Sequence, residues 1–409
     1  MSERCDALVV GGGAAGAAAA LALAELGRDV VLVDRRAPAG IEGDAPLDPR
    51  VVAISPGSRA LLDALGAWDR LDADRIAPYH RMQVAAGRGE VAFLAGDHGF
   101  DALGWIVEIP ALVDALWAGL RGHRRIRIHA PVEVESISID DSTRASEART
   151  DPCGARVRLA DRTRIETDVL IGADGAHSRV RAAASIRATI DDYNQRALVT
   201  HLTTERANRG IAWQRFTALG PLAQLPLPAG RSSLVWSVPR TDAERLMSLA
   251  EDAFIEELNE HAQGGPFGAV IAAEKRHALP LIRRRAETLA AGCIGLVGDA
   301  ARTVHPLAGQ GLNLGLADVA VLAETFGRHR TDPQRALARY ALRRGSDAAL
   351  VAGGIHALTE LRGFGPMAIE GLGAGFSMMK RSRLARGLFV RRACGLGEVE
   401  GGVQALQAR

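Results

Sequence analysis

The sequence predicts an α/β protein: a nucleotide-binding α/β domain interrupted by an inserted, mostly antiparallel α+β domain, with a helical C-terminal tail. Three observations predict it. A strand, a glycine-rich turn and a helix open the chain at 6–27. Short strands with Pro/Gly turns fill 195–238. A strand-to-loop-to-helix pattern returns at 293–326, after that run. The division this implies is 1–75, 105–185 and 282–355 for the nucleotide domain, 76–104 and 186–281 for the inserted substrate domain, and 356–409 for the tail. A length of 409 residues also exceeds what one core usually supports.

Taken in order, DALVV at 6–10 reads as a buried strand and AAAALALAELG as a helix ending at Gly27. DVVLVD at 29–34 is a second strand ending in an acid, and 35–55, rich in Pro, Gly and Asp, reads as a long loop. SPGSRALLDALG at 55–66 carries a capping serine before an apolar face. Residues 82–94 read as strand, and a helix follows at 110–120 with Pro110 in its first turn. VEVESISID, ARVRLAD and RIETDVLIGADG then alternate as strands up to residue 175. WQRF, GPLAQLPLP and SSLVWSVP fit an antiparallel sheet, and 243–262 fits one helix. After 327 the chain reads as helical, broken up by glycines between 353 and 375.

Gly11, Gly13 and Gly16 give the spacing GxGxxG between strand and helix, the start of a Rossmann-like dinucleotide fold. The first glycine allows the tight turn, the second lets backbone approach a diphosphate, and the third lets helix and strand pack closely. Asp34 stands 23 residues after Gly11, where a carboxylate accepts from a ribose 2′-OH. An acid there suits FAD or NAD and disfavours NADP at this site. Other classes are excluded by composition. Net charge is +2, and among 50 basic residues Lys occurs only at 275 and 380, with arginines interspersed among acids. With 5 Trp, 3 Tyr and 9 Phe there is little for a base-stacking platform, so no nucleic-acid partner is expected. Cys5, Cys153, Cys293 and Cys394 lie far apart, giving no metal motif or disulfide framework and fitting a reducing compartment. Neither a signal peptide nor a spanning run is read.

Two distant segments choose the cofactor: VLIGADGAHSRVR at 169–181 and GCIGLVGDAARTVHPLAGQGLNLGLADV at 292–319. With the glycine turn they resemble the flavin-dependent aromatic hydroxylases that have a single nucleotide-binding domain. WQRF at 213–216, GPLAQLPL, SSLVWSVP and DPRVVAISPGSRALLDALGAW at 48–68 resemble the ubiquinone-biosynthesis branch of that family. The resemblance covers roughly 5–350 and departs at EIPAL, 108–112, and in the tail. It implies FAD held by Gly11, Gly13, Ala14, Ala15, Gly16, Asp34, Arg35, Arg50, Val134, Asp174, Gly298, Asp299, Gly309, Gln310, Gly311, Leu312 and Asn313. It implies Arg50, His305 and Pro306 beside the reacting ring, with Trp213, Gln214, Arg215, Phe216 and Trp236 on the substrate side.

The activity implied is hydroxylation of a polyprenylated phenol in ubiquinone biosynthesis, with NAD(P)H as a visiting reductant and O2 as co-substrate, through a C4a-hydroperoxyflavin. Three other readings stay open on the same motifs: hydroxylation of another small aromatic compound, reduction of a prenyl chain, and a non-catalytic flavoprotein scaffold. Residues 371–397 contain no acid but hold Lys380, Arg381, Arg383, Arg386, Arg391 and Arg392 among Phe376, Met378, Met379, Leu384, Leu388, Phe389 and Val390. That mixture fits a basic amphipathic surface. The partners implied are a lipid-binding accessory protein or biosynthetic complex, or a membrane met from the cytoplasm at the face of the inner membrane.

Overall fold

The computed structural model describes residues 2–41, 45–140, 154–305, 309–345 and 366–408. The chain opens with β1 (Ser2–Val10), α1 (Ala14–Glu25), β2 (Val30–Val33), β3 (Val51–Ile54) and α2 (Pro56–Ala64). It continues through β4 (Ala77–Tyr79), β5 (Arg81–Ala86), β6 (Gly89–Leu94), β7 (Gly104–Glu108) and α3 (Ile109–Gly122). Then come β8 (Ile126–His129), β9 (Val134–Asp140), β10 (Gly154–Leu159), β11 (Arg164–Gly172) and α4 (Arg179–Ala183). The middle holds β12 (Ala188–Thr204), β13 (Ile211–Phe216), β14 (Pro221–Pro226), β15 (Ser232–Pro239), α5 (Arg240–Ser248) and α6 (Glu251–His261). Next are β16 (Val270–Ala273), β17 (His277–Ala286), β18 (Ala290–Ala291), β19 (Ile294–Leu296) and β20 (Arg302–Thr303). The chain ends with α7 (Gln310–Arg328), α8 (333–345), α9 (Pro366–Arg381), α10 (Arg383–Cys394) and α11 (Leu396–Gln407).

The first sheet has the path β18-β19-β11-β1-β2-β8, with β19, β11, β1, β2 and β8 parallel. Strand order reverses between β1 and β2 on one side and β11 on the other, and the carboxyl ends at that point are where a doubly wound sheet binds ligands. All four residues of β2 are buried, as a sheet covered on both faces requires. α1 is apolar all round and Ala-rich, so it can be buried among neighbours at close range. Its residues, with α7 and α3, form the largest core cluster.

The second sheet runs β20-β17-β12-β15-β14-β13-β5-β6 and is antiparallel except between β13 and β5. β17 crosses the 281/282 junction expected from the sequence, and β20 also joins this sheet. Its two faces differ. Strand alternation turns Leu198, Trp213, Leu222, Leu234 and Trp236 to one face, where they pack with Leu246 of α5 and Phe254 and Leu258 of α6. The other face carries Ala197, Val199, Val235 and Leu281. A third small sheet, β3-β7-β4, lies between the two systems.

Three expectations need correction. Residues 51–54 lie in the predicted loop yet form β3, because they pair with β7. The single helix over 243–262 is two, broken where Leu249 and Ala250 turn extended. Arg276 explains the break: its guanidinium donates to the carbonyls of Leu246 at 2.7 Å and Leu249 at 2.6 Å, ending α5. Gly371, Gly373 and Gly375 lie inside α9 and do not break it. Gly373 is needed there, since a Cβ would stand 2.2 Å from the carbonyl oxygen of Ala86.

Candidate active site

The cleft is built at the carboxyl ends of β1, β11 and β19. Gly11 follows β1 at φ 106°, and a Cβ there would stand 2.3 Å from the carbonyl oxygen of Ala173, just past β11. Gly16 packs against Gly11 itself: a Cβ on Gly16 would stand 1.9 Å from the Gly11 oxygen. Gly13, by contrast, would meet nothing within 4 Å. It is the N-cap of α1, with no capping side chain and no acid in the first turn. The turn is therefore locked from behind and open in front, as an approaching diphosphate needs. Asp34 accepts from the Gly12 amide and from the Arg36 amide at 2.7 Å, which fixes its carboxylate beside the glycine turn. Arg35 is exposed.

Two residues that brace the cleft were missed in sequence. Trp117 on α3 donates from Nε1 to the Gly12 carbonyl at 2.7 Å. Arg181 donates to the carbonyls of Ala300 at 2.8 Å and Ala176 at 2.9 Å, tying the β11 turn to the loop after β19. The signal for Arg181 lay in SRVR; Trp117 carries none beyond its place among Leu112, Leu116 and Leu120.

Asp174 accepts from the Arg179 and Val180 amides through Oδ2 at 2.6 and 3.2 Å, while its Oδ1 is buried without a partner among the described residues. Val134 is buried, and its carbonyl accepts from Arg179. Gly298 sits at φ 59° against Ala15, and Gly315 of α7 packs on Gly298. Asp299 remains accessible to solvent, yet the protein around it raises its pKa through burial. Both hold for a carboxylate on the floor of a cleft, walled by protein but wet. Gly13, Asp174 and Asp299 thus present an open, uncapped helix start, an orphaned acceptor and a wet carboxylate along one line of strand ends. Backbone donors at the helix start and carboxylate acceptors beyond it fit a dinucleotide with a diphosphate and with ribose and ribityl hydroxyls.

The far end of the cleft is the start of α7. Gly309 is its N-cap at φ 61°, uncapped by any side chain. Asn313 donates to the carbonyls of Ala53 at 2.7 Å and Gly309 at 3.1 Å and accepts from the Ser55 amide at 3.0 Å. Its side chain is spent on joining α7 to β3 and α2, so it serves as a latch, where a direct cofactor contact was expected. Gln310, Gly311 and Leu312 form the first turn of α7. Arg50 forks onto Asp48, Nε to Oδ1 and Nη2 to Oδ2, both at 2.9 Å. In the departing stretch, Ile109 donates its amide to the Arg50 carbonyl at 3.0 Å, and buried Glu108 takes a fork from Arg75 at 2.8 and 2.9 Å.

His305 is only 2% exposed. Burial drives its pKa down to about 4, so it is neutral at physiological pH. Its Nε2 lies 3.3 Å from Gln195 Oε1, and its ring meets Tyr193 edge-on at 5.3 Å. Pro306 lies outside the described residues.

The five substrate-side candidates split by strand parity. Trp213 and Trp236 point to the helix-covered face and are core beneath α5 and α6, not cleft walls. Arg215 lies on that same face and donates to the Gln263 carbonyl at 2.6 Å. Gln214 and Phe216 take the opposite face, where Gln214 is buried and Phe216 packs against Phe376 of α9 at 6.2 Å between ring centres. That face meets the α7 corner from two sides. Leu225 clusters with Val51 and Ala53, and Ala53 abuts Gly309. Tyr193, clustered with Ala197, Val199 and Leu281, abuts His305.

Residues 4–351 match the family model described as FAD binding domain. The chain is 33% identical over 361 residues to 3-demethoxyubiquinol 3-hydroxylase of Escherichia coli (strain K12), spanning 87% of this chain and 89% of that one. It is 34% identical over 402 residues to ubiquinone hydroxylase UbiL of Rhodospirillum rubrum, spanning 95% and 89%. Among solved structures, p-nitrophenol 4-monooxygenase PnpA from Pseudomonas putida DLL-E4 superposes with a TM-score of 0.72 at 19% identity, covering 96% of this chain and 99% of that one. At that identity the likeness bears on fold alone.

Proposed function

The chain belongs to the FAD-binding family of aromatic-ring monooxygenases and is an enzyme of that class, and from that premise we propose that its substrate is a polyprenylated phenol of ubiquinone biosynthesis. NAD(P)H is the proposed reductant and O2 the oxidant. The relatives named for ubiquinone hydroxylation support this. The observation that carries it is the face of the second sheet turned away from α5 and α6: Ala197, Val199, Val235 and Leu281 form an apolar wall beside the Ala53–Gly309 corner. An apolar wall suits an uncharged aromatic ring and excludes water from the reacting end.

Bound FAD supplies electron transfer and oxygen activation. The chain's own residues bind and position. The proposed cofactor contacts are the glycine turn and the start of α1 for the diphosphate, Asp34 for the ribose, and Asp174 Oδ1 and Asp299 for hydroxyls further along. Gly309 to Leu312 give backbone to the ring, and Asn313 holds that backbone in place. His305, neutral and enclosed, keeps charge away from the apolar wall and orients the turn; Pro306 belongs to the same proposal. Arg50 is proposed to act beside the ring, as half of its pair with Asp48. The division at 1–75 and 105–185 against 76–104 and 186–281, with 356–409 as tail, is proposed on the same footing, except that the 281/282 boundary moves past the end of β17 at Ala286, and β20 is shared with the second sheet.

We propose peripheral membrane contact through the tail. Phe376, Met379, Val390 and Cys394 pack onto β5 and β6. Met367, Met378, Leu384 and Leu388 are exposed among the cations of α9 and α10. No described helix is long and apolar enough to cross a membrane. The test of function is complementation of strains each blocked at one ring-hydroxylation step, with quinone precursors identified by mass spectrometry. Restoration of one step supports the proposal; restoration of none contradicts it.

A further inference from the structure

The geometry points to Asp318 as a positioning residue for FAD: from inside α7 it fixes the Gly298 peptide, and through that peptide the carboxylate of Asp299. The inference rests on the reading of Asp299 as a cofactor contact. Gly315 and Asp318 stand three residues apart on α7, so both face the same neighbour. Gly315 lets the loop after β19 lie on the helix, since a Cβ there would stand 3.1 Å from the Gly298 Cα. Asp318 then accepts from the Gly298 amide through Oδ2 at 3.2 Å. Glycine is the most permissive residue, so the conformation of Gly298, at φ 59°, has to be fixed from outside. Asp299 follows it directly and is exposed on the cleft floor, so its place is set by the backbone behind it.

Asp318 is itself held by two guanidinium groups. Arg302 of β20 donates from Nη1 to both carboxylate oxygens at 2.7 and 2.8 Å, and Arg344 of α8 donates from Nε to Oδ1 at 2.8 Å. Arg344 also donates to the Leu314 carbonyl and to Glu398 of α11, each at 3.2 Å. The side chains of Asp318 and Arg344 are 0% exposed. An edge strand of the second sheet, α8 and the last helix thus meet on one carboxylate, and that carboxylate meets the cleft floor.

Stability alone does not account for this cluster. Taking charges out of water is costly, and apolar residues of similar volume hold a fold as well or better. What the carboxylate adds is direction: Oδ1 is pinned by both arginines, which leaves Oδ2 aimed at one backbone amide. Misplacement of a binding group by about an ångström is enough to lose its contact.

The test is a double-mutant cycle read as FAD affinity, from the flavin fluorescence released on dilution of the FAD-loaded protein. Asp318→Asn cannot serve both sides. Its oxygen follows the two arginines, and its NH2 group then faces the Gly298 amide, donor against donor. It is expected to weaken FAD binding about tenfold, and Asp299→Ala by a similar factor. In the Asp299→Ala background the further effect of Asp318→Asn on FAD should shrink to about twofold or less, because the group it positions is gone. Its effect on the melting temperature of the deflavinated protein should be equal in both backgrounds. A merely structural role would leave both readouts additive. Where Asp318→Asn gives no folded protein, Asp318→Glu carries the same cycle: it keeps the charge for both arginines and displaces the acceptor by one methylene. Equal FAD loss from the Asp318 substitution in both backgrounds overturns the inference, as does wild-type FAD affinity in Asp318→Asn. FAD binding unchanged in Asp299→Ala is a different failure: it removes the reading of Asp299 as a contact, and this inference with it.

Discussion

α1 and α7 both start on a glycine, with no side-chain cap and no acid in the first turn. Each aims the positive end of a helix dipole at the cleft. They differ in how they are held. The turn before α1 is locked by its own neighbours, Gly11 on Ala173 and Gly16 on Gly11, with Trp117 and Asp34 at its sides. The start of α7 hangs on Asn313, which binds backbone about 260 residues away. One end is a steric lock and the other a hydrogen-bonded latch. A steric lock fails outright when violated, whereas a latch fails by degrees.

Breaking the lock should have the largest effect. Gly16→Ala puts a methyl 1.9 Å from the Gly11 oxygen, and overpacking of that kind costs about 3 kcal/mol or more. The expected outcome is protein purified without flavin absorbance and with a lowered melting temperature. Retention of FAD by Gly16→Ala would remove the distinction between lock and latch.

Asn313→Ala comes next. It strands the Ser55 amide and the Ala53 carbonyl, at about 2–3 kcal/mol for the two buried groups. FAD should still bind, more weakly, as read by flavin titration. Asn313→Asp keeps the acceptor for Ser55 and loses both donations, so it should not restore affinity.

The α7 side also carries a pH dependence. His305 stays neutral down to about pH 4 in the folded protein, whereas an unfolded histidine titrates near 6.5. Protonation thus favours the unfolded chain between those values. Stability is full above about pH 6.5 and falls as pH drops toward 4, by up to about 1.4 kcal/mol per unit. His305→Gln should flatten that part of the slope when denaturant unfolding at pH 7 and pH 5 is compared. An equal slope in the variant would assign the dependence to other groups.

Trp117→Phe probes the lock most gently. It keeps the ring and removes the Nε1 bond to Gly12, worth about 1 kcal/mol. A severalfold weaker FAD affinity is expected, smaller than for Asn313→Ala.

The same contrast explains what could be read from sequence. The glycine spacing, Asp34 and the capped start of α2 were legible because their physics spans a few residues. Strand parity in WQRF was also legible, but not which face looks inward: that depends on α5 and α6, which arrive later in the chain and cover Trp213 and Trp236. β3 was hidden because a four-residue strand exists only through its pairing with β7. The role of Asn313 could not be derived, since nothing near it in sequence names Ala53 or Ser55.

The most direct test of the central claim is oxygen labelling. Purified FAD-loaded protein is supplied with NAD(P)H, a prenylated phenol and 18O2, and the product is examined by mass spectrometry. The prediction is one 18O atom on the aromatic ring per product molecule, with none acquired from labelled water. NAD(P)H consumption that leaves the ring unlabelled would contradict it.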